Sequence, residues 1–287
     1  TISNVYSSIV SLCPDIPVTS GYFRPVKISL PKASVVSCEP PMPVGHSTVC
    51  IGSDIMEAVM KAFERVVPER VGAADIDLCN FRVYGTNSKT GDFFLAGDLN
   101  VTPMSAGGTH GVDGWGGWAA PFCALKLPPL EMYEWQFPFR YLQMEYATDT
   151  AAPGRWRGAP ATHYRRQMLD AVHCIAYTQG YRHTMQGYCG GKPGAGNVFV
   201  VNEGLPQEMR IEEACYNEPM PPGAVIYAQS GGGGGWGDPF ERDPDAVRVD
   251  VLDEYVSIEG ARRDYGVAID PRTLEVDHAA TKKLRAR

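Results

Sequence analysis

Two glycine-rich stretches constrain the fold of this chain more than any other feature. The first, 105–118, reads SAGGTHGVDGWGGW and holds six glycines, and the second, 231–239, reads GGGGGWGDP. Glycine accepts positive φ and close backbone approach, and neither stretch has helical or alternating periodicity. The first stretch also carries one imidazole, one carboxylate and two indoles, namely His110, Asp113, Trp115 and Trp118. We expect a shaped loop that is either a ligand site or a wide turn whose His and Asp bond each other.

The second stretch formally satisfies the dinucleotide pattern GxGxxG at Gly232, Gly234 and Gly237. A run of five glycines matches that pattern trivially, the next helix begins only after Asp243, and no βαβ unit precedes it. At 190–193 a proline stands where a phosphate loop needs Ser or Thr. We therefore treat the second stretch as structural, and the sequence reveals no ATP site of its own.

Composition excludes several classes of protein. A chain of 287 residues with 44% apolar and 21% charged residues is typical of one or two globular domains. A net charge of −7 counts against nucleic acid as a partner, and no apolar run reaches the roughly 18 residues that span a bilayer. The eight cysteines form no CxxC pair, which favours reduced thiols. We expect a cytoplasmic protein that binds neither nucleic acid nor membrane.

The chain starts at Thr1 and runs directly into an amphipathic helical pattern that ends at Pro14. One interpretation is an enzyme with an N-terminal threonine nucleophile. The favoured alternative is a piece of a longer polypeptide, because such a nucleophile is better placed on a strand than on an amphipathic helix.

The fold class predicted from the coarse pattern is α+β, with a helical start, a β-rich centre and a helical tail. We divide the chain into 1–104, an α/β segment that continues a domain whose N-terminal half is absent, 105–240, a β-rich glycine-loop region, and 241–287, a helical tail. Ser53 is predicted to cap a second helix, and Asp243 and Ser257 to begin the helices of the tail. Strands are predicted at 26–30, 78–84, 93–99, 132–146, 164–168, 172–178, 197–201, 209–213 and 224–229.

The order of motifs is similar to that in the C-terminal half of the B-type chain of the hydantoinase/oxoprolinase family, which is related to acetone and acetophenone carboxylase subunits. Each motif is weak alone, but together they span nearly the whole chain. They are PDIPVTSGYFRP (14–25), GGTHGVDG (107–114), PLEMYE (129–134), GRWRG (154–158), GGKPGA (190–195), GGGGGWGDP (231–239) and YVSIEGARRDYG (255–266).

The resemblance implies ATP-dependent chemistry on a carbonyl compound, shared between two kinds of subunit in a hetero-oligomer. An A-type subunit would bind ATP and Mg²⁺. The B-type subunit would carry the substrate site and a divalent metal, Zn or Mn, whose Asp and His ligands belong to the N-terminal half that is missing here. That half and the A-type subunit are thus the expected partners.

One segment departs from the family pattern. Hydantoin-type members follow the Asp-Gly motif with an Asn- and Thr-bearing segment, whereas 115–126 is apolar and aromatic here. A ketone offers little but a carbonyl and apolar surface, while a cyclic amide offers donors and acceptors for polar side chains. We expect an ATP-dependent cyclic-amide hydrolase acting on a hydantoin, oxoproline or lactam. The apolar segment favours the first alternative, a subunit of an ATP-dependent ketone carboxylase. The second alternative is a non-catalytic scaffold.

Such chemistry needs a group that moves protons and donors for developing negative charge. His110 is the predicted general acid/base, with Asp113 orienting it, or else the two form a structural pair. Backbone N–H groups at Gly107, Gly108 and Gly111 are predicted to bind an oxyanion or phosphate as a nest.

The remaining candidates are predicted to contact the substrate. Glu131 and Glu134 would line the site, unless they are solvent-facing strand residues. Arg155 and Arg157 would hold a carboxylate or phosphate by bidentate bonds, unless the GRWRG motif is a turn that defines the fold. Trp115 would supply apolar contact.

Overall fold

The computed structural model describes residues 2–45, 47–75, 79–98, 105–115, 129–212 and 214–286. Two helices open the chain, α1 (Ile2–Leu12) and α2 (Ser47–Phe63), followed by a short 3₁₀ turn at Pro68–Arg70. Ser53 lies inside α2 and is buried, so its prediction as the cap is wrong. The helix begins six residues earlier, and packing covers the serine there, which overrides its preference for a cap. Thr1 lies outside the described residues.

Two antiparallel sheets make up the centre. Their strands are β1 (Cys79–Thr86), β2 (Phe93–Asp98), β3 (Phe139–Tyr146), β4 (Thr162–Met168), β5 (Val172–Thr178), β6 (Val198–Val201), β7 (Met209–Arg210), β8 (Ala214–Met220) and β9 (Val225–Gln229). The first sheet has the order β2–β1–β5–β8 and the second the order β3–β4–β9–β6–β7, so the α+β prediction is confirmed. The predicted hairpin forms, with Val83 opposite Ala96.

The two sheets pack face to face around one apolar core. Strands β4 and β5 alternate between buried and half-buried positions, as expected for sheets with one covered face. Phe81 of the first sheet contacts Phe199 and Tyr164 of the second, with ring centroids 5.1 and 6.3 Å apart. Arg166 is fully buried between the sheets, its guanidinium 4.1 Å from the ring centroid of Phe139.

Two predicted strands differ from the structure, and one observed strand was not predicted. The expected strand at 132–146 is a helix, α3 (Leu130–Gln136), followed by β3, because Pro138 separates two segments of different periodicity. Residues 26–30 form no strand within the described range 2–45, since prolines at both ends remove backbone donors. Strand β8 was not predicted.

The second glycine stretch forms the centre of a bundle of extended segments. Its successive N–H groups point to three sides in turn. On two of these sides, donors that are three residues apart bond carbonyl groups of the same neighbouring segment. The pairs are Gly232–Ala195, Gly235–Lys192, Gly233–Ala159, Trp236–Trp156, Gly234–Ala74 and Gly237–Tyr188. A repeat of three residues is that of the polyproline II helix, which leaves every backbone group available to its neighbours.

Glycine is required in this bundle for space. A Cβ on Gly158 would lie 1.8 Å from the carbonyl oxygen of Gly233, and one on Gly233 would lie 2.0 Å from that of Ala106. Both distances are far below van der Waals contact, and the obstacle is backbone that cannot move aside. The structural interpretation of this stretch therefore agrees with its packing.

Three helices form the tail: α4 (Pro244–Leu252), α5 (Ile258–Tyr265) and α6 (His278–Arg285). The predicted caps are present, since Asp243 accepts from the N–H of Asp245 and Ser257 from that of Gly260. The sixth helix, α6, was not predicted. In the part of the chain that the structure describes, every helix is too short or too polar to cross a membrane.

Candidate functional site

His110 sits at the tip of a tight turn. Thr109 and Val112 exchange two backbone hydrogen bonds of 2.9 and 3.1 Å, which leaves His110 and Gly111 as the central residues. Gly111 has φ +88°, the value that the third position of a type II turn needs. The His110 ring is exposed to solvent but packs on two indoles, with centroids 4.7 Å from Trp156 and 5.2 Å from Trp236.

The structure joins Asp113 to two arginines and not to His110. Its Oδ1 accepts from the backbone N–H of Arg157 at 2.9 Å and from Arg242 Nη1 at 2.6 Å, and its Oδ2 accepts from Arg242 Nη2 at 2.8 Å. Burial tends to raise the pKa of Asp113, but the hydrogen bonds and charges of Arg242 and Arg157 outweigh it, so that the pKa is lowered. Of the hydrogen bonds between described residues, none joins Asp113 to His110, and the i, i+3 spacing alone was not sufficient to bring them together.

Arg157 is committed to the same buried network. Its Nε donates to Asp250 Oδ1 at 2.6 Å, and its Nη1 donates to the carbonyls of Gly114 and Gly158 at 3.3 and 3.1 Å. Arg242 bonds the other oxygen of Asp250 at 2.8 Å. The Asp250 side chain is only 4% exposed, so these bonds fix the tail helices to the glycine loop. The structure thus places the Arg157 guanidinium inside the protein rather than where it would hold a substrate anion.

Two of the three glycines of the predicted backbone nest, Gly107 and Gly108, are buried. The N–H of Gly108 donates to Gly234 at 2.8 Å, and its carbonyl accepts from Ala73 at 2.9 Å. A Cβ on Gly107 would lie 2.2 Å from the carbonyl oxygen of Ala73. These two glycines therefore serve close backbone packing, and Gly111 alone lies exposed at the turn.

The other predicted contacts are spread over the surface. Trp115 is 66% exposed, while Trp118 and the rest of the apolar segment 116–126 lie outside the described residues. Arg155 is exposed, stacks on Trp156 with its guanidinium 4.8 Å from the ring centroid, and pairs with Glu241 at 3.4 Å.

Glu131 and Glu134 lie on α3, not on a strand, so the solvent-facing strand position considered for them does not apply. Glu131 is exposed, and Glu134 Oε1 accepts from the N–H of Tyr141 at 2.7 Å.

On another side of the bundle lies a cleft that the sequence analysis did not identify. An outer cavity of about 860 Å³ opens between α2 and the segment 179–188, and a smaller cavity of about 190 Å³, called the inner cavity below, adjoins it. Glu57 and Tyr188 line both cavities. Asp54, Lys61, Arg182 and His183 line the outer one, and Asp75 lines the inner one.

Asp75 has a strongly perturbed carboxyl group in this cleft. Its backbone N–H donates to Glu57 Oε1 at 3.1 Å, which holds the two residues together. Burial raises the pKa of Asp75 well above its ordinary value, and the charge of Glu57 adds to the shift. Perturbed carboxyl groups in clefts are typical of functional sites. In the sequence Asp75 follows two alanines, and no spacing links it to Glu57.

A metal site finds no support in these residues. Across 2–45, 47–75, 79–98, 105–115, 129–212 and 214–286, no three His, Cys, Asp or Glu side chains come together in a way that could hold an ion. No step of the chemistry below is therefore assigned to a metal on this chain.

Comparison with known proteins gives the family. Residues 1–239 match the family model described as Hydantoinase B/oxoprolinase. The chain belongs to this family. Among its relatives, the B-type chain of a putative D-/L-hydantoinase from Pseudomonas sp. (strain NS671) is 27% identical over 271 residues, which are 94% of this chain and 45% of that protein. The beta chain of the caprolactamase of Pseudomonas jessenii is 28% identical over 298 residues, 100% of this chain and 51% of the relative.

A carboxylase relative is also present. The acetophenone carboxylase delta subunit of Aromatoleum aromaticum is 26% identical over 311 residues, 94% of this chain and 45% of that protein. The chain thus spans about half the length of the curated relatives it matches. These relatives are named as subunits, as expected for members of hetero-oligomeric enzymes.

Two solved structures share the fold. The ATP-dependent caprolactamase of Pseudomonas jessenii aligns with a TM-score of 0.81 and 26% identity, over 100% of this chain and 51% of the other. A nucleotide-free acetone carboxylase aligns with a TM-score of 0.67 and 23% identity, over 80% of this chain and 35% of the other. The second likeness is evidence for the fold alone.

Proposed function

We propose that this chain is the C-terminal part of the B-type subunit of an ATP-dependent cyclic-amide hydrolase. The observation that carries the proposal is the alignment of the whole chain with the caprolactamase, at a TM-score of 0.81. In this proposal ATP and Mg²⁺ are bound by an A-type partner. The N-terminal half of the B-type chain supplies a divalent metal, Zn or Mn, and the assembly works in the cytoplasm.

Within the proposal, His110 is the acid–base group of the glycine turn. The turn holds the imidazole at the surface on Trp156 and Trp236, where a substrate brought by a companion polypeptide would reach it. Asp113 acts as a positioning residue, because it joins the base of the turn to Arg242 and Arg157. Trp115, Gly111 and Arg155 remain proposed contacts on this exposed side.

The test is turnover by the reassembled complex. We would combine the chain with an A-type subunit and the N-terminal half of a B-type chain, and measure ATP-dependent release of the amino acid from a lactam. His110→Ala is expected to lower kcat by roughly 10²–10⁴-fold if His110 transfers a proton. His173→Ala is the matched control, because His173 lies on β5 and stacks on Tyr84. Unchanged turnover by His110→Ala would instead support the scaffold alternative.

The second candidate function is that of a ketone carboxylase subunit. It is favoured by the similarity to the acetophenone carboxylase delta subunit and by the apolar sequence of 115–126. Isotopically labelled bicarbonate separates the two candidates, since the label enters the product of a carboxylase and stays out of the product of an amide hydrolase.

A further inference from the structure

The inner cavity behind Glu57 and Tyr188 has the size of a small ring. Its volume is about 190 Å³, whereas an engineered apolar cavity of ~150 Å³ already holds benzene. The inner cavity therefore has room for a ring of about six or seven heavy atoms. It shares Glu57 and Tyr188 with the outer cavity of about 860 Å³, which leads to solvent.

The walls of this cavity are mainly apolar, and two of its polar side chains are already bonded to the backbone. Arg70 donates to the carbonyl of Leu12 at 3.0 Å, and the Tyr188 hydroxyl donates to the backbone carbonyl of Glu57 at 3.1 Å. Asp75 also lines the cavity and is half-buried. The apolar lining residues are Met56, Met60, Ala73 and Ala74. Apolar walls with a few placed polar groups are typical of small-molecule sites.

We propose that the inner cavity binds a small, neutral cyclic compound through its carbonyl oxygen, with the Asp75 carboxyl group as the hydrogen-bond donor. Met56 and Met60 contact the ring, and thioether side chains adapt to rings of different size. The choice of a lactam as ligand rests on the proposed function, whereas the recognition of a ring carbonyl rests on the cavity itself.

The protonation state of Asp75 decides whether it can donate. A protonated carboxyl group has one O–H donor, and an ionised one only accepts. The described ionisable groups that line the cavity with Asp75 are Glu57 from α2, Tyr188 from the segment after β5, and Arg70 from the 3₁₀ turn. Burial and the charge of Glu57 raise the pKa of Asp75, so the neutral donor persists to higher pH than for an ordinary aspartate. Binding should weaken as the pH rises through that raised pKa.

The experiment measures the Kd of 2-piperidone, a six-membered lactam, for the purified chain by ligand-observed NMR from acidic to alkaline pH. We expect binding to weaken by roughly tenfold or more across the titration, because the ionised carboxylate meets the carbonyl without a donor. Asp75→Asn keeps an N–H donor and should bind at all these pH values without the pH dependence. Asp75→Leu should lose binding.

The matched control is Asp54→Asn, which changes a carboxylate of the outer cavity and should keep the pH dependence of the wild type. Cyclohexane, a ring without a carbonyl group, is the control ligand. If cyclohexane binds as tightly as 2-piperidone, the proposal is overturned. So would a Kd that is the same at every pH, or one unchanged in Asp75→Leu. These measurements need neither ATP nor partner chains, so their failure is distinct from a failure of the reassembled complex to open a lactam.

Discussion

At the scale of single residues, the main polar interaction between the glycine loop and the tail is the buried network of Asp113, Arg157, Arg242 and Asp250. Asp250 is central to it, because each of its oxygens accepts from a different arginine, at 2.6 and 2.8 Å. Arg242 and Asp250 are each only 4% exposed at their side chains. Two arginine charges are therefore neutralised inside the protein by two carboxylates, and the loss of any one of them leaves a buried charge without compensation.

We expect Asp250→Asn to lower the free energy of unfolding by about 3–5 kcal/mol, the usual cost of breaking a buried ion pair. Urea unfolding at neutral pH followed by circular dichroism measures this change. Asp253→Asn, at the exposed end of the same helix, is the control and should change stability by no more than about 0.5 kcal/mol. Equal effects of the two substitutions would mean that the network contributes little to stability.

Single residues are also where the sequence was least informative about the site. The pattern identified His110, and the structure does expose it on a tight turn. The sequence pattern could not identify the partner of Asp113, because Arg242 lies 129 residues away. Local spacing does not predict contacts between residues so far apart in the chain. Asp75 and Glu57 were missed for the same reason. Their meeting depends on where α2 lies against the bundle.

At the scale of elements, local patterns located most helices and strands, and their failures have local causes. The starts of α4 and α5 were predictable because a capping residue stands before each helix. The strands β4 and β5 were predictable because their residues alternate between two faces. The helix α3 was missed because its aromatic residues resemble those of the strand that follows. The glycine bundle has no side-chain pattern at all, so its three-residue repeat became visible only from the hydrogen bonds.

The glycine bundle predicts that adding a single methyl group at one of its positions lowers the stability of the fold. Gly158→Ala places a Cβ 1.8 Å from the carbonyl oxygen of Gly233, which the packed backbone cannot accommodate. We expect a loss of more than about 3 kcal/mol in stability, at or beyond the upper range for overpacked cores, or failure to fold. Gly45→Ala, where a Cβ meets nothing within 4 Å, is the control. Thermal unfolding of both variants decides the matter, and a wild-type midpoint for Gly158→Ala would contradict the packing.

At the scale of the whole molecule, the tail is joined to the rest by buried charges as well as by apolar contact. Residues 240–287 lie beyond the match to the family model, yet they supply Arg242 and Asp250 to the network. Asp149 adds a second link, since its carboxylate accepts from the N–H and hydroxyl of Ser257 at 2.8 and 2.7 Å. The tail is thus structurally continuous with the glycine loop.

Removing the tail should therefore disrupt the region to which it is bound. We expect a chain ending at residue 239 to lack a cooperative thermal transition, because Arg157 and Asp113 both lose their partners. A chain ending at residue 276 keeps Arg242 and Asp250 and loses only α6, so it should retain a cooperative transition at a lower temperature. Scanning calorimetry compares the two, and a full transition in the shorter chain would show that the charge network is dispensable.

The central glycine segment has a consequence for how relatives of this chain can differ. Five of its consecutive positions carry no side chain, and the N–H groups of the last four, Gly232 to Gly235, are bonded to neighbouring segments. Such a segment offers no side chain with which to select a ligand, so any selectivity of the proposed enzyme would come from groups at its margins. Exchanging those marginal residues between relatives is therefore the most direct way to redirect the chemistry without rebuilding the scaffold.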